Sequence, residues 1–252
     1  GTTAAEVAKS LGAGLYKAAC AARVDGKAVD LRTPLTEDCT LAILTFDDPE
    51  GKHAFWHTAS HVLAQAVMHL YPDTKYTIGP AVENGFYYDF DVEKPFTPED
   101  LAKIEKEMTA IVKTGEELER FELDPADAKE LMKDQPYKLE LIDKHSGAGE
   151  KISFYKQGDF TDLCAGPHLM SVAPLKAIKL VQSTGAYWHG DSNNRMLCRV
   201  YGIAFPKASE LESYLNMLEE AKRRDHRKLG RELDLFDIYE EGPGFPFFFP
   251  KG

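Results

Sequence analysis

The segment from Phe55 to Leu70 constrains this chain more than any other. Phe55, Trp56, Ala59, Val62, Leu63, Ala66, Val67 and Leu70 recur at the 3.6-residue period of a helix. So broad an apolar face predicts a helix buried on most of its sides. Set into it are His57 and His61, four residues apart and therefore one turn apart on one face. Further along, Cys164-Ala-Gly-Pro-His168 offers a thiol and an imidazole at the same separation. If the fold joins the two pairs, four ligand-type groups meet.

At 252 residues the chain suits one medium domain with smaller pieces attached. Its 28% charged residues and 43% hydrophobic residues are those of a globular protein, and no apolar run approaches the ~20 residues a membrane helix needs. The chain begins Gly-Thr-Thr-Ala-Ala-Glu, which reads as a cut end rather than a signal peptide. Cys20, Cys39, Cys164 and Cys198 show no framework spacing, so reduced thiols in a cytoplasm are expected. A net charge of -11 argues against wholesale wrapping of nucleic acid. Local contact stays open, because Lys222, Arg223, Arg224, Arg227, Lys228 and Arg231 crowd a segment whose one acid is Asp225.

The patterning predicts an α+β chain. Residues 1–47 read as a small unit: a helix to Leu11 capped by Thr2 or Thr3, with Val7, Ala8 and Leu11 inward, a helical turn at Leu15–Ala19, and strands at Cys20–Val24, Lys27–Val29 and Thr40–Phe46. After the central helix, Lys75–Val82 and Gly85–Phe90 flank Asn84-Gly85, which predicts a hairpin with a type I′ turn. Thr97-Pro98 opens a helix to about Lys113, followed by a strand at Glu119–Leu123 and a helix from Asp124 to about Asp134. Leu139–Ile142 fits strand or short helix. Strands are expected at Ile152–Gln157, Ala177–Ser183 and Met196–Phe205, the last two around a Gly185–Asn194 loop. Lys207–Glu232 predicts one long helix, apolar at Leu211, Leu215, Leu218 and Ala221. The Phe-rich tail from Gly242 to Pro250 lacks any evident partner strand.

HxxxH and CxxxH spacing suits Zn²⁺, which takes histidine nitrogen and cysteine sulfur tetrahedrally. Histidines on an apolar helix face are about as often core residues bonded to a carbonyl, and spacing alone does not separate the two explanations. Pro167 argues for a loop around the second pair. The aromatics of Asn84-Gly-Phe-Tyr-Tyr-Asp-Phe90 could stack on a base or fill a core. Neither a Gly-rich phosphate loop nor a Ser-His-Asp order stands out. The residues by themselves support a hydrolase or metal site.

Taken together, His57-Thr-Ala-Ser-His61, Ile78-Gly-Pro80, Asn84-Gly-Phe-Tyr-Tyr88, Asp162-Leu-Cys-Ala-Gly-Pro-His168, Thr184-Gly-Ala-Tyr-Trp188, Gly190-Asp-Ser-Asn-Asn194 and Lys222-Arg-Arg-Asp-His-Arg-Lys-Leu-Gly230 are specific. Over essentially its whole length the chain resembles the N-terminal half of the threonyl-tRNA synthetase family. The resemblance implies a β-grasp TGS domain at 1–47 lacking its first hairpin, and an editing domain at 48–206 of antiparallel sheet around a central helix. A linker helix at 207–239 and the start of a class II catalytic core at 240–252 would follow.

The activity implied is hydrolysis of seryl-tRNA formed in error on threonine tRNA. Lys138 would position or activate water, with His57, His61, Cys164 and His168 around the seryl ester and terminal adenosine. Asp162 would bind the serine ammonium, and Gly79, Tyr88 and Tyr87 would line the pocket. Arg223, Arg224, Arg227 and Lys228 would meet tRNA. His189 stands where the resemblance leads one to expect Arg. The related alanyl enzyme binds zinc at a similar cluster, whereas threonyl editing sites are thought to work without it, so no metal is expected here. ATP, magnesium and zinc belong to the absent core. No ligase activity is expected of the fragment, which should be monomeric although the parent is a homodimer. A zinc-dependent deacylase and a non-catalytic tRNA-docking module are the alternatives.

Overall fold

The computed structural model of the chain describes residues 1–145, 151–237, 239 and 245–251, apart from the side chain of Arg227. It divides into two compact units, Gly1–Pro206 and Lys207–Gly252.

The first unit opens with two short helices, α1 (Ala4–Leu11) and α2 (Ala13–Ala18). Thr3 caps α1 and is capped in return by Glu6. Ala4, Ala5 and Ala8 form its inward face, and Leu11, expected inside, is 69% exposed. The small alanine side chains pack together with Ala19, Ala22 and Leu31. Strands β1 (Ala19–Val24), β2 (Lys27–Val29) and β3 (Leu41–Thr45) form an antiparallel sheet in the order β2-β1-β3.

The central helix α3 spans Pro49–Leu70, with Pro49 in its first turn and Tyr71 closing it. Its residues from Thr58 to Val67 are all buried. β4 (Lys75–Tyr76), β5 (Ala81–Val82) and β6 (Gly85–Asp91) follow. Val82 pairs with Gly85, so the hairpin exists, but its turn residues are Glu83 and Asn84 and neither has a positive φ. The type I′ turn centred on Asn84-Gly85 is therefore not formed. Gly85 instead begins β6 at φ 129°, where a Cβ would meet the Gly202 carbonyl.

The helix α4 (Pro98–Thr114) is capped by Thr97 and Asp100 and buries Ile104, Met108 and Ile111. Then come β7 (Leu118–Leu123), α5 (Pro125–Leu131) and α6 (Pro136–His145), which settles Leu139–Ile142 as helix. β8 (Ile152–Gln157) and β9 (Phe160–Leu163) complete an antiparallel sheet, β7-β8-β9. β10 (Ala177–Tyr187) and β11 (Met196–Phe205) form a long hairpin in the sheet β10-β11-β6-β4, with β5 also on β6. β10 runs further than its sequence suggests: Gly185, Ala186 and Tyr187 pair with Cys198, Leu197 and Met196. The expected Gly185–Asn194 loop thus shrinks to a helical turn at Trp188–Gly190 and the residues after it. Phe55, Trp56, Val62, Phe86, Tyr88, Phe90, Ile104 and Met108 share one core with α3 at its centre.

In the second unit the predicted long helix is two, α7 (Ala208–Arg223) and α8 (His226–Glu232). The break falls at Arg224-Asp225, and the Asp225 carbonyl accepts Leu229 N–H to begin α8. Leu211, Leu215 and Leu218 are half-buried. The Phe-rich tail does find a partner among the described residues: β13 (Phe247–Phe248) pairs with β12 (Phe236–Asp237). Gly242–Gly244 lie outside the described residues. No helix among the described residues is long and apolar enough to cross a membrane.

Candidate editing site

α3 carries His57 and His61, and the segment leaving β9 carries Cys164 and His168. The four groups meet. Their ligand atoms lie within 4.8 Å of one another, and the His168 ring centre sits 4.1 Å from His57 and 4.2 Å from His61. Cys164 Sγ is 3.3 Å from His57 Nε2 and 3.1 Å from His168 Nε2. The CxxxH spacing is a loop: Gly166 has φ 76°, and a Cβ there would strike the Tyr155 hydroxyl. The turn folds Gly166 N–H back onto Cys164 Sγ at 3.3 Å.

Beside the cluster lies a buried charged group. Lys138 on α6 places Nζ 2.5 Å from Asp162 Oδ1, with the two side chains 1% and 2% exposed. Tyr88 on β6 donates its hydroxyl to Asp162 Oδ2 at 2.6 Å and accepts from Lys138 Nζ at 3.2 Å. His61 Nε2 stands 3.6 Å from the same carboxylate oxygen. Asp162 is thus engaged by Lys138 and Tyr88. Gly79 closes over Tyr88, where a Cβ would lie 2.0 Å from the ring.

Protonation follows from burial. Loss of solvent pushes His57 down to about 3, aided by His61 and His53, and pushes His61 down to about 3, aided by Lys138. Desolvation also holds His168 well below the usual histidine range. Cys164 is pushed up to about 12 by burial, against the opposing pull of Gly166 N–H. At neutral pH the cluster is therefore three neutral imidazoles and a thiol, and a thiol is a poor nucleophile. His57 and Cys164 are the half-buried members, whereas His61 and His168 are buried.

Sequence reasoning passed over Thr58. Its hydroxyl donates to the Ala54 carbonyl at 2.8 Å and accepts Leu169 N–H at 2.9 Å. That uses its one hydrogen, so the 3.2 Å contact with His168 Nδ1 has the ring donating. His168 is the Nδ1–H tautomer, and its Nε2 lone pair faces Cys164. A threonine in a helix gives no such signal, because its partner lies 110 positions away.

Other expected residues fall elsewhere. Tyr87 lies on the opposite face of β6 from Tyr88, its ring 3.8 Å from the Arg199 guanidinium, so it does not join the cluster. His189, at φ 56°, holds Glu140 of α6 at 2.7 Å while Trp188 Nε1 holds the other carboxylate oxygen at 3.0 Å. Both brace the helix that carries Lys138. In the second unit Arg223, Arg224 and Lys228 are exposed and face Glu219, Glu220 and Glu232 one turn away. The side chain of Arg227 lies outside the described residues.

The donor set also suits a tetrahedral zinc, whose ligand atoms stand roughly 3.3–3.8 Å apart against up to 4.8 Å here, and neutral imidazoles are the ligating form. Occupying all four would close the coordination sphere, whereas catalytic zinc keeps one position for water. The donor set suits zinc held structurally, or by three of the four.

Residues 1–45 match the TGS domain, and residues 152–201 match the threonyl and alanyl tRNA synthetase second additional domain. Over its full length the chain is 61% identical to the threonine--tRNA ligase of Acetivibrio thermocellus and 60% identical to that of Clostridium tetani, covering 40% of each. It is 59% identical to the threonine--tRNA ligase of Caldanaerobacter subterraneus subsp. tengcongensis, covering 39% of it. The chain therefore spans about two fifths of the length of these relatives. The chain matches the TGS domain and the threonyl and alanyl tRNA synthetase second additional domain, and it is similar from end to end to the N-terminal region of bacterial threonine--tRNA ligases.

Proposed function

We propose that this chain is the proofreading part of a threonine--tRNA ligase and hydrolyses seryl-tRNA(Thr). One observation carries the reading: the Lys138–Asp162–Tyr88 group lies beside the cluster of His57, His61, Cys164 and His168. In this reading residues 1–47 are the TGS domain, 48–206 the editing domain, 207–239 a linker and 240–252 the start of a class II core. The parent enzyme, a cytoplasmic homodimer using ATP, magnesium and zinc in that core, would join threonine to its tRNA.

The need for such a site is physical. Serine lacks only threonine's methyl and keeps the hydroxyl, and a methyl contact discriminates by about 1–3 kcal/mol. A second pocket with the opposite size bias supplies the rest. Tyr88 packed on Gly79 gives a rigid wall suited to excluding the extra methyl.

Hydrolysis adds water to the ester carbonyl and releases the adenosine hydroxyl. The Lys138 ammonium, fixed by Asp162, orients that water and stabilises the developing oxyanion. Neutral imidazoles line the approach and offer N–H donors and lone pairs to the ester and ribose. Nothing in this scheme requires a metal. Were zinc bound at the cluster, three of His57, His61, Cys164 and His168 would hold it with a position left for water, and it would supply Lewis acidity; held by all four it would be structural.

The test is deacylation of seryl- and threonyl-tRNA(Thr) by this chain. Rapid loss of serine with threonine spared is the expected result. Hydrolysis no faster than buffer, with tRNA still bound, would leave the docking reading, which rests on the basic residues from Lys222 to Arg231.

A further inference from the structure

We infer that Asp30 and Arg32, which lie in the TGS-matching segment, are positioning residues for the editing site, so that this segment is part of the site's framework. The inference rests on the proposed deacylase reading for its kinetic consequence, and on geometry alone for the contact itself.

Asp30 follows β2 and is 7% exposed. Its Oδ2 accepts the Tyr155 hydroxyl at 2.9 Å and His168 N–H at 3.4 Å, across 125 and 138 positions of sequence. Tyr155 in turn packs edge-on against the His168 ring, with centres 4.4 Å apart. One carboxylate therefore holds both the backbone of His168 and the aromatic wall behind its imidazole. Arg32 fixes that carboxylate: Nη1 binds both Asp30 oxygens at 2.8 and 3.0 Å. Its Nη2 donates to the carbonyls of Leu118, Leu169 and Met170 at 2.6, 3.1 and 2.9 Å. Leu169 and Met170 directly follow His168. A planar guanidinium with several donors in fixed directions suits this clamp, and a single ammonium does not.

The consequence is mechanical. The His168 ring is held from three sides: Thr58 fixes its Nδ1, Cys164 meets its Nε2, and Asp30 fixes its backbone and the edge-on ring of Tyr155. Two of those sides belong to the domain that also supplies the rest of the cluster. The third comes from the segment preceding it. Met170 also packs with the alanine core of α1 and β1, so apolar contact joins the same two regions.

The experiment compares Asp30→Asn and Arg32→Lys with the wild-type chain in steady-state hydrolysis of seryl-tRNA, with His168 ring signals followed by ¹⁵N NMR. A positioning role predicts kcat lower by tenfold or more, KM within twofold, and a displaced His168 Nδ1–H resonance. Tyr155→Phe, which keeps the carboxylate and loses one donor, should fall between the two. Thr3→Ala serves as the control, since it removes the cap of α1 and should lower the melting temperature with kcat kept. Wild-type kcat and unmoved ring signals in folded Asp30→Asn would overturn the inference. So would an equal loss of kcat in Thr3→Ala at matched destabilisation. If the wild-type chain fails to hydrolyse seryl-tRNA, the function falls, while displaced or unmoved ring signals still decide whether Asp30 positions His168.

Discussion

Nζ of Lys138 stands 2.5 Å from Oδ1 of Asp162, with both side chains almost wholly enclosed. A buried ion pair of this kind is expensive to break from one side, because the remaining charge has no solvent to turn to. Lys138 joins the site through a helix that Glu140 ties to Trp188 and His189.

Lys138→Ala should therefore have two separable effects. Deacylation of seryl-tRNA should fall by at least a hundredfold while tRNA affinity changes little. The variant should also lose about 3–5 kcal/mol of stability from the orphaned Asp162. Lys138→Ala combined with Asp162→Asn should recover much of that stability and none of the activity. Parallel loss of binding and hydrolysis in the single variant would remove Lys138 from the chemistry.

Acid should destabilise the fold through its histidines. His57 and His61 titrate near 3 when folded and near the ordinary 6.5 when unfolded. Between those values the unfolded chain takes up protons that the folded chain refuses, so stability is full above ~6.5 and falls as pH drops. The slope should be about 1.4 kcal/mol per pH unit for each histidine. Urea midpoints from pH 7 to pH 5 check this, and His61→Asn should flatten the dependence.

Metal analysis of chain purified without chelators should find no stoichiometric zinc, and EDTA should leave hydrolysis unchanged. One zinc per chain, lost together with activity in His57→Ala, would instead make the cluster a metal centre.

Gly79→Ala tests the pocket wall. Its Cβ would occupy space held by the Tyr88 ring, which cannot withdraw without releasing Asp162. Overpacking of this sort costs about 1–3 kcal/mol. Hydrolysis of seryl-tRNA should drop, as measured by kcat/KM, with the chain still folded.

Thr58→Val should remove the acceptor of Leu169 N–H and the partner of His168 Nδ1, at about 1–3 kcal/mol for the buried amide left unpaired. ¹⁵N NMR should show the His168 tautomer shift towards Nε2–H. An unchanged tautomer would contradict the hydrogen count at Thr58.

Most secondary structure was legible because periodicity, caps and breakers act within a few residues. Thr97-Pro98 capped a helix, Tyr71 ended one, and Ile152–Gln157 formed the expected strand. One error lies where non-local pairing outweighed local signals: Met196 and Leu197 across the sheet drew Tyr187 and Ala186 into β10. Another is local: the helix expected over 207–232 breaks at Arg224-Asp225, where Leu229 N–H turns to the Asp225 carbonyl to begin α8.

The sequence by itself determined a buried helix bearing two histidines on one face, because side-chain spacing along a helix is fixed by its 3.6-residue turn. It also marked Cys164 and His168 as their candidate partners. Only the tertiary structure decided that the pairs converge, that Asp162 belongs to Lys138 and Tyr88, and that Asp30 reaches His168. Those contacts join residues 24 to 138 positions apart. Spacing carries no distance information at that range, and burial, which makes the imidazoles neutral and the ion pair costly to break, exists only once the chain has closed around them.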